Sequence, residues 1–178
     1  MNEKQLFHTP VGAITVSPAK KLNFKEFVKE NREKKRPIKF MPADGKFQHW
    51  FLSKTEEFVN DEAALRFYTP IRHLDDISVI TQLGGEAKVE TSLLEIFACL
   101  EKQPDGEEGV LLVNRFDKQG WLANPSRLMR NVFYVRDYAG FLRTVNIGYY
   151  KDGWHFTAQG FADTLGFGEG DRIFIRAS

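Results

Sequence analysis

Residues 131–159 read NVFYVRDYAGFLRTVNIGYYKDGWHFTAQ, and this stretch decides the fold class. Its side chains follow the period of two that belongs to β-strands. Phe133 and Val135 fall on one side of a strand, and Val132, Tyr134 and Arg136 fall on the other. Phe141, Val145, Ile147 and Tyr149 repeat at intervals that keep one face of a second strand apolar. Ala139 and Gly140 stand where the chain must reverse between them. Asp152 followed by Gly153 signals a hairpin, because glycine adopts positive φ without steric cost. Trp154, Phe156 and Ala158 then alternate with His155, Thr157 and Gln159, and Gly166, Gly168 and Gly170 mark a turn before a last strand over 171–176. The pattern predicts a C-terminal antiparallel sheet or small partly closed β-barrel, with one face buried and the other polar.

Working outward, the N-terminal part mixes helices and strands, so the fold class is α+β. Residues 11–16 have the composition of a short strand. Leu22, Phe24, Phe27 and Val28 give the next segment an amphipathic helical face ending before Pro37. Residues 38–42 suit a strand, Asp44 and Gly45 a turn, and residues 47–52 a second apolar element. Ser53 and Glu56 are spaced as a capping box for a helix carrying Phe58, Val59, Ala63, Leu65 and Phe67, limited by Pro70. Leu74, Ile77, Val79 and Ile80 predict a short strand, and Gly84 and Gly85 a turn. Ser92 and Glu95 form a second capping box, ahead of a dense apolar helix that includes Cys99.

The turn formers and acids of residues 104–109 (PDGEEG) separate a mixed subregion, 1–103, from a β-rich one, 109–178. Residues 110–113 have a strand composition, residues 116–121 a turn, and residues 121–125 a segment closing the sheet. A single α+β domain over 1–178 is expected, with one shared core.

The chain has 178 residues, 42% of them hydrophobic, including 16 Phe, which is enough apolar material for a substantial core. Its one cysteine excludes an internal disulfide. An apolar run of about eighteen residues is missing, and the start lacks the hydrophobic segment of a secretory signal. The expectation is a soluble, cytoplasmic protein. Net charge is +1 but unevenly spread: 12 Lys/Arg against 7 Asp/Glu over residues 1–60, 4 against 11 over 61–109, and 9 against 6 over 110–178, so +5, −7 and +3. Opposite segments can meet on folding, or form separate basic and acidic surfaces that steer partners.

For catalysis the sequence offers little. His8, His49, His73 and His155 are scattered without metal-ligand spacing, and neither a Walker loop nor a dinucleotide fingerprint occurs. Gly166-Phe-Gly-Glu-Gly170 lacks the strand-to-helix setting of a nucleotide turn. Asp75, Asp76, Asp163, Glu169 and Asp171 do not follow the calcium-loop order. Cys99 lies in an apolar run, the setting of a buried spectator. No cofactor or metal is expected.

Binding is better supplied, and the candidate residues are Tyr134, Arg136, Tyr138, Arg143, Tyr150 and Arg172. Aromatic rings with arginine forks anchor protein interfaces, so a protein-interaction or regulatory module with another protein as partner is the first reading. The second is nucleic-acid binding, with Lys20, Lys21, Lys25, Lys29, Arg32, Lys34, Lys35 and Arg36 converging on Arg136, Arg143 or Arg172. Glu26, Glu30 and Glu33 weigh against it by pairing with those lysines along a helix. The third is a hydrolytic enzyme in which His73, beside Asp75 and Asp76, or His155 works with an acid. The glycine turn running into residues 170–176 is similar to a turn and strand of several small β-barrel domains, some of them DNA-binding, and names no family.

Overall fold

The computed structural model describes residues 6–8, 10–32, 38, 44–57, 62–114, 128–151, 153–161 and 166–177. In chain order the elements are β1 (Gly12–Val16), β2 (Lys21–Asn23), α1 (Phe24–Arg32), α2 (Gly45–Phe51), β3 (Thr55–Glu57), β4 (Ala63–Tyr68) and α3 (Asp76–Gln82). They continue as α4 (Glu86–Val89), β5 (Glu90–Thr91), α5 (Leu93–Glu101), β6 (Asn131–Arg136), β7 (Leu142–Tyr150), β8 (Gly153–Gln159) and β9 (Arg172–Arg176).

The alternation over residues 131–159 becomes two antiparallel ladders, with Phe133 opposite Val145 and Ile147 opposite Phe156. Gly140 and Gly153 hold positive φ at the two reversals. The α+β class holds, but the sheet is neither purely antiparallel nor a barrel. Seven strands form an open mixed sheet in the order β1-β4-β9-β6-β7-β8, with β5 also paired to β6. Both β9 and β5 run parallel to β6. Returning to β6 in the same direction requires a crossover, which period-two patterning does not encode. Strands from both subregions share this sheet.

Nor is one face polar. Phe133, Val135, Val145, Ile147, Trp154, Phe156 and Phe174 pack against α1, α2 and α5, while Val132, Tyr134, Leu142, Ile173 and Ile175 pack with Val79, Ile80 and Phe167. Helical and loop layers therefore cover both sides, and β6 is buried from Asn131 through Val135. On the first face the rings of Phe27 and Phe97 approach to 3.9 Å and those of Phe133 and Phe174 stack at 4.6 Å. Each fully buried phenylalanine contributes roughly 1.5–3 kcal/mol of transfer free energy.

Four local expectations are corrected. Ala63, Leu65 and Phe67 belong to a strand, β4, in which buried and exposed residues alternate. Glu56 is not part of a preceding helix cap; it lies on β3, and its carboxylate accepts the Leu94 N–H of α5 at 3.0 Å. Residues 76–82 are helical rather than extended, because the Asp75 carboxylate accepts the Ser78 N–H at 2.7 Å and satisfies an orphan donor of the first turn. Residues 110–113 form no strand: Val113 makes an isolated bridge to Tyr149, and side chains hold the rest. Residues 47–52 contribute to α2, which Asp44 caps through the Phe47 N–H. The α5 capping box forms as read, with Ser92 and Glu95 each accepting from the other's backbone N–H. The expectations for residues 34–37, 39–42, 58–59 and 116–125 lie outside the described residues.

Candidate functional site

The six candidate binding residues do not form one surface. Tyr134 is fully buried among apolar side chains, where burial drives its phenol pKa upward and the nearby Asp76 carboxylate adds to the effect. Among the described residues its hydroxyl has no hydrogen-bond partner of ordinary geometry. The Arg136 side chain is tied to Glu90 at 2.9 Å and Glu86 at 3.1 Å. Burial opposes its charge, but the two carboxylates outweigh that and raise its pKa. Tyr150 packs edge-on against His155 at 4.7 Å; burial raises its pKa, against the pull of Arg130. Arg172 lies at the other end of β6, against the loop before it. Tyr138 and Arg143 come together, and Arg136 reaches the same turn through Nη1, which donates to Gly140 O at 2.9 Å.

They meet at the reversal between β6 and β7. Asp137, itself buried, accepts the N–H groups of Ala139 at 2.9 Å and Phe141 at 3.0 Å through one oxygen and Nε of Arg143 at 2.8 Å through the other. This Asx-type arrangement, closed by Gly140 at positive φ, fixes the turn. Burial works against the ionised carboxylate, yet donors from Arg143, Phe141 and Ala139 prevail and hold its pKa below the usual value. The fixed turn presents Tyr138, 56% exposed, and Phe141, 62% exposed. The Arg143 guanidinium lies 4.3 Å from the Trp50 ring centre and 5.4 Å from that of Phe141, two cation–π contacts. Its terminal nitrogens make no hydrogen bond to described residues. Helix α2 completes the patch: Trp50 O accepts the Tyr138 N–H at 3.1 Å, and the His49 ring sits edge-on to Tyr138 at 6.4 Å.

Sequence reasoning missed Trp50, His49, Phe141 and Asp137. Phe141 reads as a strand residue by spacing, and Trp50 is brought in by a distant helix. Asp137 carried a legible signal, since aspartate shortly before a glycine favours a side-chain-closed turn.

Of the catalytic candidates, Asp75, Asp76 and Cys99 serve the packing, and the His155 ring lies against Tyr150. Asp75 caps α3, and chiefly the Ser78 N–H lowers its pKa, with a smaller pull from His73. Asp76 is buried and accepts the Thr144 hydroxyl at 2.7 Å. Cys99 is buried in α5, and desolvation pushes its thiol pKa up to about 12. Among the described residues no group of three His, Cys, Asp or Glu is arranged to hold a metal, and no helix is long and apolar enough to cross a membrane. Compared with protein-family models, with curated proteins and with solved structures, the chain finds no match.

Proposed function

We propose that the chain is a protein-interaction module whose contact surface is the turn patch of Tyr138, Phe141, Trp50, His49 and Arg143. The observation that carries this reading is the pair of exposed aromatics on a turn fixed by Asp137. Exposing apolar rings from a rigid turn gives a partner contact area at little ordering cost, the property that makes aromatic residues effective anchors. Arg143 adds a guanidinium beside two rings whose terminal nitrogens are not hydrogen-bonded among the described residues, which suits a carboxylate. The partner is therefore an apolar protein segment that carries an acidic side chain.

Nucleic-acid binding is less favoured because it calls for several cations that track phosphates. Here Arg130 pairs with Asp171, Arg136 with Glu86 and Glu90, Arg143 with Asp137, and Arg176 with Glu95. Lys21 and Lys54 meet Glu57 and Glu56.

The test is capture from native cell extract on the tagged wild-type chain and on a Tyr138→Ser/Phe141→Ser variant, with and without nuclease. A discrete protein that survives nuclease and moderate salt, and is lost with the variant while its thermal unfolding is unchanged, is the expected result. Retention indifferent to the variant removes the patch from the binding surface, and nuclease-sensitive retention moves nucleic acid ahead.

A further inference from the structure

At the opposite end of β6 from the turn patch, the loop between α5 and β6 walls a groove of about 370 Å³ lined by Gly106, Glu107, Leu111, Leu112, Met129 and Arg172, among others. This volume is at the small end of ligand sites, which run from about 300 to 1,000 Å³. Among its described residues the loop has no strand ladder to hold it, only the Val113 bridge to Tyr149, and three buried amides do the work of backbone partners. Gln103 donates to Glu107 O and Leu111 O and accepts the Leu111 N–H. Asn131 accepts the Leu112 N–H and donates to Leu112 O, while Asn114 binds both the N–H and the carbonyl of Met129. The wall is thereby fixed before any ligand arrives, which lowers the ordering cost of binding.

Arg172 stands out in this groove. Unlike Arg130, Arg136, Arg143 and Arg176, it has no carboxylate partner among the described residues. Its Nη1 donates to the carbonyls of Val110 and of Gly109, the latter at 3.3 Å, and its guanidinium lies 4.7 Å from the Phe67 ring centre. Neither Nε nor Nη2 has an acceptor there. A partly buried guanidinium with an open edge, beside the partly exposed apolar side chains of Leu112, Val113 and Met129, matches a carboxylate joined to a short aliphatic body.

We propose that this groove binds a small aliphatic monocarboxylate, with its carboxyl group on Arg172 and its hydrocarbon against Leu112, Val113 and Met129. Glu107 and Glu108 on the rim repel a dianion about twice as strongly as a monoanion, so phosphate is not expected to bind. The inference is independent of the turn patch.

The test uses the ¹⁵N-labelled full chain titrated separately with hexanoate, hexanamide, N-acetyl-leucine and inorganic phosphate, followed through the amide resonances of Leu111, Leu112 and Val113 and the Nε–H of Arg172. Hexanoate is expected to shift them saturably, with hexanamide at least roughly tenfold weaker, the scale of one charge-assisted hydrogen bond. Arg172→Gln is expected to erase the preference for acid over amide. Because Arg172 also tethers the loop, Arg172→Lys, which keeps the charge without the fork, serves as the second variant and is expected to retain part of that preference. Equal binding of acid and amide by the wild type, absence of saturable shifts, or binding of phosphate would overturn the proposal. Stronger binding of N-acetyl-leucine than of hexanoate would overturn the small-molecule assignment in favour of a peptide C-terminus.

Discussion

Replacing Asp137 tests whether the turn patch is built or incidental. The carboxylate has three partners: the N–H groups of Ala139 and Phe141, and Nε of Arg143. A hydrogen bond to a charged group contributes about 1.5–3 kcal/mol, which covers the Arg143 contact in this site, where the Asp137 side chain is 1% exposed. The two amides belong to exposed residues that water can reach once the side chain is gone, so each loses only about 0.5 kcal/mol, the low end for a neutral bond. Asp137→Ala is therefore expected to cost about 3 kcal/mol by urea denaturation. In a chain of this length that lowers Tm by about 6–12 °C. Asp137→Asn keeps an acceptor for the turn but loses the charge opposite Arg143, and is expected to cost about 2 kcal/mol.

A double-mutant cycle with Arg143→Gln isolates the pair. Coupling of about 1 kcal/mol or more is expected, and additivity to within about 0.3 kcal/mol would refute the claim that the ion pair fixes the turn. The pH dependence has a definite sign. The folded pKa of Asp137 is depressed, so its contribution is fully present above its unfolded value of about 3.9 and is lost as pH falls through the lower folded value. Asp137→Asn should remove that portion of the acid destabilisation.

Glu95 provides a second test of a buried carboxylate. It accepts Nε of Arg176 at 2.7 Å, Nη2 at 2.8 Å, the Ser92 N–H at 2.7 Å and the Ser92 hydroxyl at 2.8 Å. Glu95→Gln is expected to cost about 2–3 kcal/mol in denaturant melts, below the figure for a wholly buried pair because Arg176 is half exposed and can rehydrate. A loss under about 0.5 kcal/mol would show that the pair is inert. Cys99 should resist thiol reagents at pH 8, since its pKa of about 12 leaves little thiolate and its side chain is buried. Labelling should become fast only in denaturant; rapid labelling of the native chain, followed by mass, would contradict the packing of α5.

The parts of the fold that were legible in the sequence are those set by near neighbours. The β6–β7–β8 meander follows from alternation and two glycine turns, and the start of α5 from Ser92 and Glu95 three residues apart. What escaped depends on distant partners. Ala63, Leu65 and Phe67 satisfy strand spacing, yet their assignment waits on β1 and β9 pairing at either side of β4. Leu74 to Ile80 has an apolar content that suits a strand, and the Asp75 cap decides for helix. Parallel pairing of β9 with β6 has no local signature at all. The candidate site divides the same way: Tyr138 and Arg143 were visible as residue types, but the Trp50 ring that stacks on Arg143 arrives from a helix ninety-odd positions earlier, about which strand periodicity is silent.

Covering the sheet on both faces also constrains where binding can occur. Residues 131–135 are buried, so Tyr134, the most aromatic-looking candidate on β6, is unavailable to any partner, and its raised pKa reflects confinement rather than reactivity. Accessible chemistry is pushed to the strand ends. At one end, Asp137 turns the chain and leaves Tyr138 and Phe141 facing out beside the partly buried Arg143. At the other, Gln103, Asn114 and Asn131 fasten an irregular loop beside Arg172. Both ends use buried polar side chains to rigidify irregular backbone, and at both an arginine has donors without an acceptor among the described residues, beside apolar surface. Because the two ends share β6 but no side chain, Tyr138→Ser/Phe141→Ser should leave hexanoate binding at Arg172 unchanged, and Arg172→Gln should leave partner capture unchanged.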